Sequence, residues 1–397
     1  MNACRDRRSK EHVFPSFLIF WFLVSRLLLA NAETTPIVIK GSRFFYQNGT
    51  QFFIRGISYS NDARSAPGST VVIDTISDEL SCTRDIPYLQ GLGVNMLSVR
   101  DVDVNVDHTS CMNQLAAAGI YVMFKVDGQT AQSKVRNGSV ITPFDSSMIE
   151  HNQAVVDVYQ KYSNTLGYYF SGERNRMDET PLYKAWLIHL KEYIKKKGYR
   201  SIPVGFYRRG TYFGQDDQAQ YLNCGPHDES IDFLGVDFEM DSWAIQHCVD
   251  NITLALYDLP ARYSNYSIPS FVVYGCAQNR NHTFSEVETI YGDSGSKIMS
   301  GGVVKEWMDD RSTGDNLGLV DIVKGTNISV RPSYNALHSQ FLAVHPSSKL
   351  PTVDLYKPTN TAPSTCPTLH WEVESKNPSG LVVYKGGSST TKLTTSS

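Results

Sequence analysis

The strongest constraint on this chain is a regular alternation of short β-prone runs with helical patterns. Eight such runs follow one another over roughly 270 residues. They start at Gln51, Val94, Ile120, Leu166, Ile202, Ile231, Ser270 and Gly301. Strands that alternate with helices form parallel sheets, and eight units predict a closed (β/α)8 TIM barrel. An open, doubly wound sheet is the alternative that the same pattern allows.

Local signals refine this prediction at two places. The run from Ile37 to the first barrel strand predicts an N-terminal β-hairpin with Asn48-Gly49 at its turn. The clearest helix spans Pro181 to Lys197, because Thr180 can cap its start and Gly198 can end it.

Both ends of the chain differ in composition from its middle. A basic start, the apolar stretch Val13 to Val24 and the small residues around Asn31 predict a signal peptide over 1–32. An uncleaved membrane anchor is the alternative. We expect the (β/α)8 domain over 33–345, a Pro/Ser/Thr-rich tail packed on the barrel over 346–380, and a disordered end over 381–397. No hydrophobic tail follows, so we expect no glycolipid anchor.

Cysteines and sequons agree with export. Six cysteines follow residue 32, and they allow fifteen disulfide pairings. They are Cys82, Cys111, Cys224, Cys248, Cys276 and Cys366. The predicted N-glycosylation sites are Asn48, Asn137, Asn251, Asn265, Asn281 and Asn327. A net charge of -3 argues against nucleic acid or an anionic membrane surface as the main partner.

Glu173 is the strongest candidate for a catalytic residue. It follows an aromatic, β-prone run, and the C-terminal ends of barrel strands are where this fold places catalysis. Retaining glycosidases need two carboxyl groups about 5 Å apart. The later strand SFVVYGC, from Ser270 to Cys276, contains no acid.

Several motifs make the chain similar to a known family. They are CTRDIPYLQGLGVNMLSV from Cys82, DHTSCMNQLAAAGIYV from Asp107, YLNCG from Tyr221, and FSEVETIYGD with SGGVVKEW between Phe284 and Trp307. With the cysteine pattern, they resemble the fungal cell-surface β-1,3-glucanosyltransferases, glycoside hydrolase family seventy-two. The resemblance covers about Ile37 to Cys366.

The resemblance implies a (β/α)8 catalytic domain and the disulfides Cys82–Cys111, Cys224–Cys366 and Cys248–Cys276. It implies internal cleavage of β-1,3-glucan and transfer of the new end to a second glucan chain, without a metal or organic cofactor. It also implies a location that is secreted, at the cell surface or in the cell wall, where relatives are often held by a glycolipid anchor. We expect a monomer.

Carried over residue by residue, the acid/base is Glu173. The family writes G-N-E there, and the position of its Asn is Gly172 in this chain. The nucleophile should lie in S-E-F-G-C. Alignment on Gly275-Cys276 places it at Val273, whereas alignment on Ile268-Pro269 places it at Tyr274. Neither side chain is a carboxylate, which makes catalytic competence doubtful.

Other strand ends depart from the family as well. Strand three has Lys125 where the family has Asp, and strand six reads Asp237 to Asp241 where the family has L-Y-E-W. Glu239 or Asp241 could supply the missing carboxylate, and Tyr274 could attack as the Tyr nucleophile of sialidases does.

Three functions therefore stay open. They are a transglycosidase with a second carboxyl near Glu173, a non-catalytic β-1,3-glucan-binding protein at the cell wall, and an inverting hydrolase with a distant base. A binding groove needs aromatic rings for sugar stacking. The candidates are Tyr168, Tyr207, Trp243, Tyr274 and Trp307.

Overall fold

The computed structural model describes residues 34–59, 74–127, 134–136, 139–141, 146–172, 180–209, 216–237, 266–275, 282–309, 317–323, 327–347 and 350–367. The strands are β1 (Val38–Lys40), β2 (Arg43–Phe45), β3 (Ile54–Tyr59), β4 (Met96–Val99), β5 (Tyr121–Lys125), β6 (Lys134–Arg136), β7 (Ser139–Ile141), β8 (Thr165–Ser171), β9 (Val204–Arg209), β10 (Leu234–Asp237), β11 (Ser270–Tyr274), β12 (Gly301–Val304), β13 (Val320–Val323) and β14 (Asn327–Val330). The helices are α1 (Glu79–Leu92), α2 (Thr109–Ala117), α3 (Ser146–Tyr159), α4 (Thr180–Lys197), α5 (Asp216–Leu222), α6 (Glu286–Tyr291) and α7 (Pro332–Ala343).

Eight of these strands close into a barrel in the order β10, β11, β12, β3, β4, β5, β8 and β9. All neighbouring pairs in the barrel are parallel. Each predicted β-prone run contains one barrel strand, so the predicted (β/α)8 fold is confirmed and the open-sheet alternative is wrong.

The residues of each strand alternate between the inside of the barrel and the layer beneath the helices. In β4, Met96 belongs to the inner cluster and Leu97 to the outer one. Ser98 also faces inward, where its hydroxyl lies 3.0 Å from that of Tyr169. This period of two decides which residues at the strand ends reach the barrel interior.

The N-terminal hairpin covers the bottom of the barrel, where the strands begin. Phe44 of β2 contacts Phe233, with 6.2 Å between ring centroids, and Phe52 contacts Tyr121 at 5.4 Å. The β1–β2 turn is at Gly41, which has φ 53°. Asn48-Gly49, the turn expected from sequence, makes a second reversal that brings Phe45 antiparallel to Gln51.

Helix α4 begins and ends where its sequence signals indicate. It starts at Thr180, and Gly198 after its last residue has φ 68°. Leu187, Leu190 and Ile194 are buried against the barrel. The apolar stripe thus fixes the helix beside β8 and β9, next to the strand end that leads to the candidate acid.

The described part of the C-terminal tail, residues 350–367, lies along the hairpin. Val353 donates its N–H to Gly49 at 2.8 Å and accepts from the Lys40 ammonium at 2.6 Å. The Tyr356 ring lies 5.6 Å from that of Phe45. A disulfide between Cys224 and Cys366 ties the tail to the chain after α5. These contacts place residues 350–367 at the bottom of the barrel.

The predicted signal peptide and the predicted disordered end lie outside the described residues. Within the described part of the chain, no helix has both the length and the apolar character needed to cross a membrane.

Candidate active site

The C-terminal strand ends form one charged region. We call it the barrel mouth, and it comprises Arg100, Lys125, Asp127, Ser171, Asp237, Lys305 and Glu306. Its cations and carboxylates are arranged in three ion pairs. Sequence reasoning named Lys125 and the Asp237–Asp241 run, and its motifs contain Lys305 and Glu306. It did not predict the ion pairs, because pairing between strands depends on closure of the barrel.

The seventh barrel strand, β11, carries the nucleophile position of the family. Val273 belongs to the inner cluster and is 3% exposed, whereas Tyr274 belongs to the outer cluster and is fully buried. Only Val273 therefore has the inward direction that a nucleophile at the barrel mouth requires. Its side chain is a hydrocarbon.

Tyr274 is turned away from any ligand in the mouth. Its ring packs edge-on against Phe284, with 6.5 Å between centroids, and a side chain at Gly302 would collide with it. Burial raises the pKa of Tyr274 well above its ordinary value, and the nearby Tyr291 and Glu286 raise it further. A reactive phenolate is therefore disfavoured by both position and charge.

The end of β8 is held by a carboxylate that sequence reasoning did not identify. Asp127 accepts hydrogen bonds from the backbone N–H of Ser171 at 3.1 and 3.3 Å. The Lys125 ammonium lies 3.7 Å from the same carboxylate. Asp127 thus fixes the backbone two residues before Glu173, which itself lies outside the described residues.

Gly172 leaves no room for the Asn that the family places there. A Cβ at Gly172 would lie 2.8 Å from Phe206 Cζ and 3.7 Å from Tyr183 Cε2. Both rings are buried and contact each other, with centroids 5.2 Å apart. The rings of Phe206 and Tyr183 therefore lie where the Asn side chain would be.

Asp237 and Lys305 form the closest ion pair of the mouth. The Lys305 ammonium lies 2.7 Å from Asp237 Oδ1, with the side chains 18% and 8% exposed. Asp237 ends β10 in register with Val273, and Lys305 follows β12 directly. A third pair joins Arg100 to Glu306 at 3.5 Å.

The expected sugar-stacking rings divide into two groups. Tyr168, Tyr274 and Trp307 are fully buried in the outer layer, so they offer no face to a ligand. Tyr207 faces the barrel interior and stacks on Tyr169 with 3.7 Å between centroids. Burial raises the pKa of Tyr207 well above its ordinary value, with Tyr169 adding to the effect.

The remaining expected site residues lie outside the described residues. They are Glu173, Glu239, Asp241 and Trp243. Their roles stay predictions. Among the described residues, no group of three His, Cys, Asp or Glu side chains is placed to hold a metal ion.

Two of the three implied disulfides are present, Cys82–Cys111 and Cys224–Cys366. Cys248 and Cys276 are not among the described residues. Of the six sequons, Asn48 and Asn327 are described and exposed. Asn137, Asn251, Asn265 and Asn281 lie outside the described part.

The chain is similar to a known family of proteins. A family model described as glucanosyltransferase, glycoside hydrolase family 72, matches residues 26–345. A 1,3-β-glucanosyltransferase of Arthroderma benhamiae is 34% identical over 391 residues, which cover 92% of this chain and 69% of the relative. Protein EPD1 of Candida maltosa is 32% identical over 92% of this chain, which spans 65% of that relative's length. The 1,3-β-glucanosyltransferase gas1 of Schizosaccharomyces pombe is 31% identical, with 81% of this chain and 58% of the relative covered.

Solved structures give the same result. Saccharomyces cerevisiae Gas2p in complex with laminaritriose and laminaritetraose superposes with a TM-score of 0.72 at 28% identity, covering 88% of this chain and 78% of that one. The barrel, the disulfides and the matched motifs leave one conclusion. The chain belongs to the glucanosyltransferase family, glycoside hydrolase family 72.

Proposed function

We propose that this chain binds β-1,3-glucan at the barrel mouth during remodelling of a fungal cell wall, and that it does not transfer glucan by the double displacement of its family. The observation that carries this proposal is Val273. It occupies the inward-facing position of β11, where a retaining enzyme needs a carboxylate.

The chemical consequence is severe. A retaining mechanism forms a glycosyl-enzyme bond to the nucleophile, and a valine side chain has no atom that can form it. Removal of a catalytic nucleophile typically costs about 10⁶-fold in turnover. Binding of glucan depends on contacts spread along the mouth, so it survives this loss.

The nature of the ligand rests on similarity. The solved Gas2p structures contain laminari-oligosaccharides, which are β-1,3-linked glucose chains. The shared fold and family support the same polysaccharide as the ligand of this chain. Secretion and N-glycosylation are part of the proposal because of the predicted signal peptide and the sequons. A monomeric state is part of it as an expectation.

The test combines two measurements on the purified, glycosylated protein. Isothermal titration with laminarihexaose should show binding. Mass spectrometry of the same oligosaccharide after incubation should show unchanged donor. The Arthroderma benhamiae 1,3-β-glucanosyltransferase serves as the active control. Products longer than the donor would contradict the absence of transfer, and a flat titration would contradict glucan binding.

A second candidate is transfer or hydrolysis with a substitute carboxylate. One observation favours it. Asp237 presents a carboxylate in the mouth, on the strand next to β11 and in register with Val273. If products form, Asp237→Asn and Glu173→Gln should each abolish them. Product formation that persists in Asp237→Asn would exclude Asp237 as the substitute carboxylate and leave Glu239 and Asp241 as the acids to test.

A further inference from the structure

The Asp237–Lys305 ion pair crosses the end of β11. Asp237 ends β10 on one side of that strand, and Lys305 follows β12 on the other. A Cβ at Gly275 would lie 3.0 Å from Lys305 Cβ. The aliphatic part of the Lys305 side chain therefore lies directly beside the residue that follows β11. The ammonium then reaches Asp237 Oδ1 at 2.7 Å. The pair therefore stands beside Val273, at the position of the missing nucleophile.

Both partners keep hydrogen-bonding capacity for a ligand. An ammonium has three donors and a carboxylate has about four acceptor sites, and one mutual contact uses few of them. The Lys305 ammonium is close to Asp237 Oδ1 but is not oriented to donate a hydrogen bond to it. Among the described residues, Asp237 Oδ1 accepts no hydrogen bond, although its side chain is only 8% exposed. A buried carboxylate oxygen in this state is stabilised by any hydroxyl that donates to it.

The other carboxylates of the mouth are engaged in holding the protein. Asp127 accepts the Ser171 backbone N–H, which fixes the end of β8. Glu306 pairs with Arg100 and takes part in further interactions. Among the described residues, the Asp237–Lys305 pair has no such structural contact, and Asp237 is in register with Val273.

We propose that Asp237 and Lys305 together bind two hydroxyls of one glucosyl ring, in the place where the family's nucleophile would contact the sugar. The inference rests on the proposed function. The carboxylate accepts from one hydroxyl and the ammonium donates to the other, which suits a polyol because each hydroxyl can donate and accept. Since the two charges cancel, the ligand is an uncharged sugar. The methyl groups of Val273 form the apolar floor beneath it.

The test measures laminarihexaose affinity by isothermal titration on the full secreted chain. Lys305→Met and Asp237→Asn should each weaken binding about tenfold, because the first removes a charged donor and the second replaces a charged acceptor by a neutral amide. Thermal unfolding shows whether each variant is folded. If Lys305→Met does not fold, the nearly isosteric Asp237→Asn carries the test.

Lys191→Met is the matched control. Lys191 also lies 2.7 Å from an aspartate, Asp232, but at the bottom of the barrel near the hairpin. It additionally holds the carbonyls of His227 and Ser230. Its loss should lower the unfolding temperature and leave glucan affinity within about twofold of wild type.

A double variant with the two charges exchanged distinguishes a sugar-binding role of the ion pair from a purely structural role, which we call a structural strut. Asp237→Lys with Lys305→Asp restores the ion pair but moves the ammonium to the end of β10 and the carboxylate to the end of β12, so neither group lies where it would meet its hydroxyl in the wild type. A structural strut predicts recovered stability and recovered affinity, whereas a sugar contact predicts recovered stability alone. Wild-type binding with unchanged affinity in folded Lys305→Met and Asp237→Asn would overturn this inference but not the proposed function. Absence of binding by the wild type would overturn both.

Discussion

Two adjacent residues of β11, Val273 and Tyr274, face opposite sides of the barrel wall. The tyrosine ring lies among outer-layer side chains, so its hydroxyl cannot reach a sugar in the mouth. We expect Tyr274→Phe to leave laminarihexaose affinity unchanged and to alter the free energy of unfolding by less than about 1.5 kcal/mol. Isothermal titration and urea unfolding measure the two quantities. A loss of affinity above tenfold would show that Tyr274 takes part in sugar binding and would contradict this prediction.

The Gly172 position offers a second residue-scale prediction. Gly172→Asn should lower the free energy of unfolding by about 1–3 kcal/mol, because its Cβ would press into the buried Phe206 ring. Gly119→Asn is the control. Gly119 has φ 74° with open space around it, and Asn tolerates this left-handed conformation. Equal costs for the two variants in urea unfolding would show that Phe206 moves aside freely.

Sequence reasoning predicted the loss of the nucleophile but left open whether Val273 or Tyr274 occupies its position. The two alignments differed by one residue, and a shift of one residue moves a side chain to the other face of a strand. Only the folded barrel decides between Val273 and Tyr274. Asp237 and Lys305 were missed as a pair for a related reason. They are 68 residues apart in sequence numbering, and the intervening strand brings them together.

Lys184 of helix α4 is the clearest pH-dependent group among the described residues. The Lys184 ammonium donates to the carbonyls of Tyr221 and Cys224 at 2.7 and 2.6 Å, next to the disulfide that ties the tail. Burial lowers the pKa of Lys184 to about 8, from an ordinary value of about 10.4. The folded protein therefore binds fewer protons than the unfolded chain between these two values.

The sign of the pH effect follows directly. Between pH 8 and about 10.4 the contribution of Lys184 to stability rises with pH, because deprotonation favours the folded state. From pH 7.5 to 9.5, the free energy of unfolding of the wild type should gain about 2 kcal/mol relative to Lys184→Met. Urea unfolding at several pH values measures this difference. A difference that stays constant, or falls as pH rises, would contradict it.

At the scale of elements, periodicity predicted the barrel strands and capping signals predicted the limits of helix α4. All eight barrel strands and the limits of α4 follow from alternation, from Thr180 and from Gly198. The hairpin was placed correctly but its turn was not. Asn48-Gly49 is a strong turn signal, yet the β1–β2 reversal uses Gly41, which packs against Pro358 of the tail. That contact comes from a segment more than three hundred residues later, which no local signal can reveal.

For the whole molecule, the two disulfides should differ in their contribution. Cys224 and Cys366 are 142 residues apart, whereas Cys82 and Cys111 are 29 apart. The longer loop restricts the unfolded chain more, so replacing Cys224 and Cys366 by Ser should cost about 1 kcal/mol more than the same change at Cys82 and Cys111. Chemical unfolding compares the two double variants. Equal costs would indicate that loop length does not govern these bonds.

The same variants report on how the tail is held. Val353 donates its N–H to Gly49 at 2.8 Å, and this contact should open more often once Cys366 is released. Hydrogen exchange at Val353 should therefore accelerate in the Cys224/Cys366 variant and not in the Cys82/Cys111 variant. Faster exchange at Val353 in both double variants would mean that opening of this contact follows the global stability of the protein rather than the Cys224–Cys366 disulfide.

The two ends of the barrel differ in what they carry. The hairpin and the described part of the tail lie at the bottom of the barrel, and the mouth carries ion pairs around Val273, which we propose occupies the nucleophile position. The most direct measurement is mass spectrometry of laminarihexaose after incubation with the purified protein, alongside isothermal titration of the same sugar. We expect the titration to show binding while every donor molecule keeps its length. Oligosaccharides longer than the donor, lost in Glu173→Gln, would contradict that expectation.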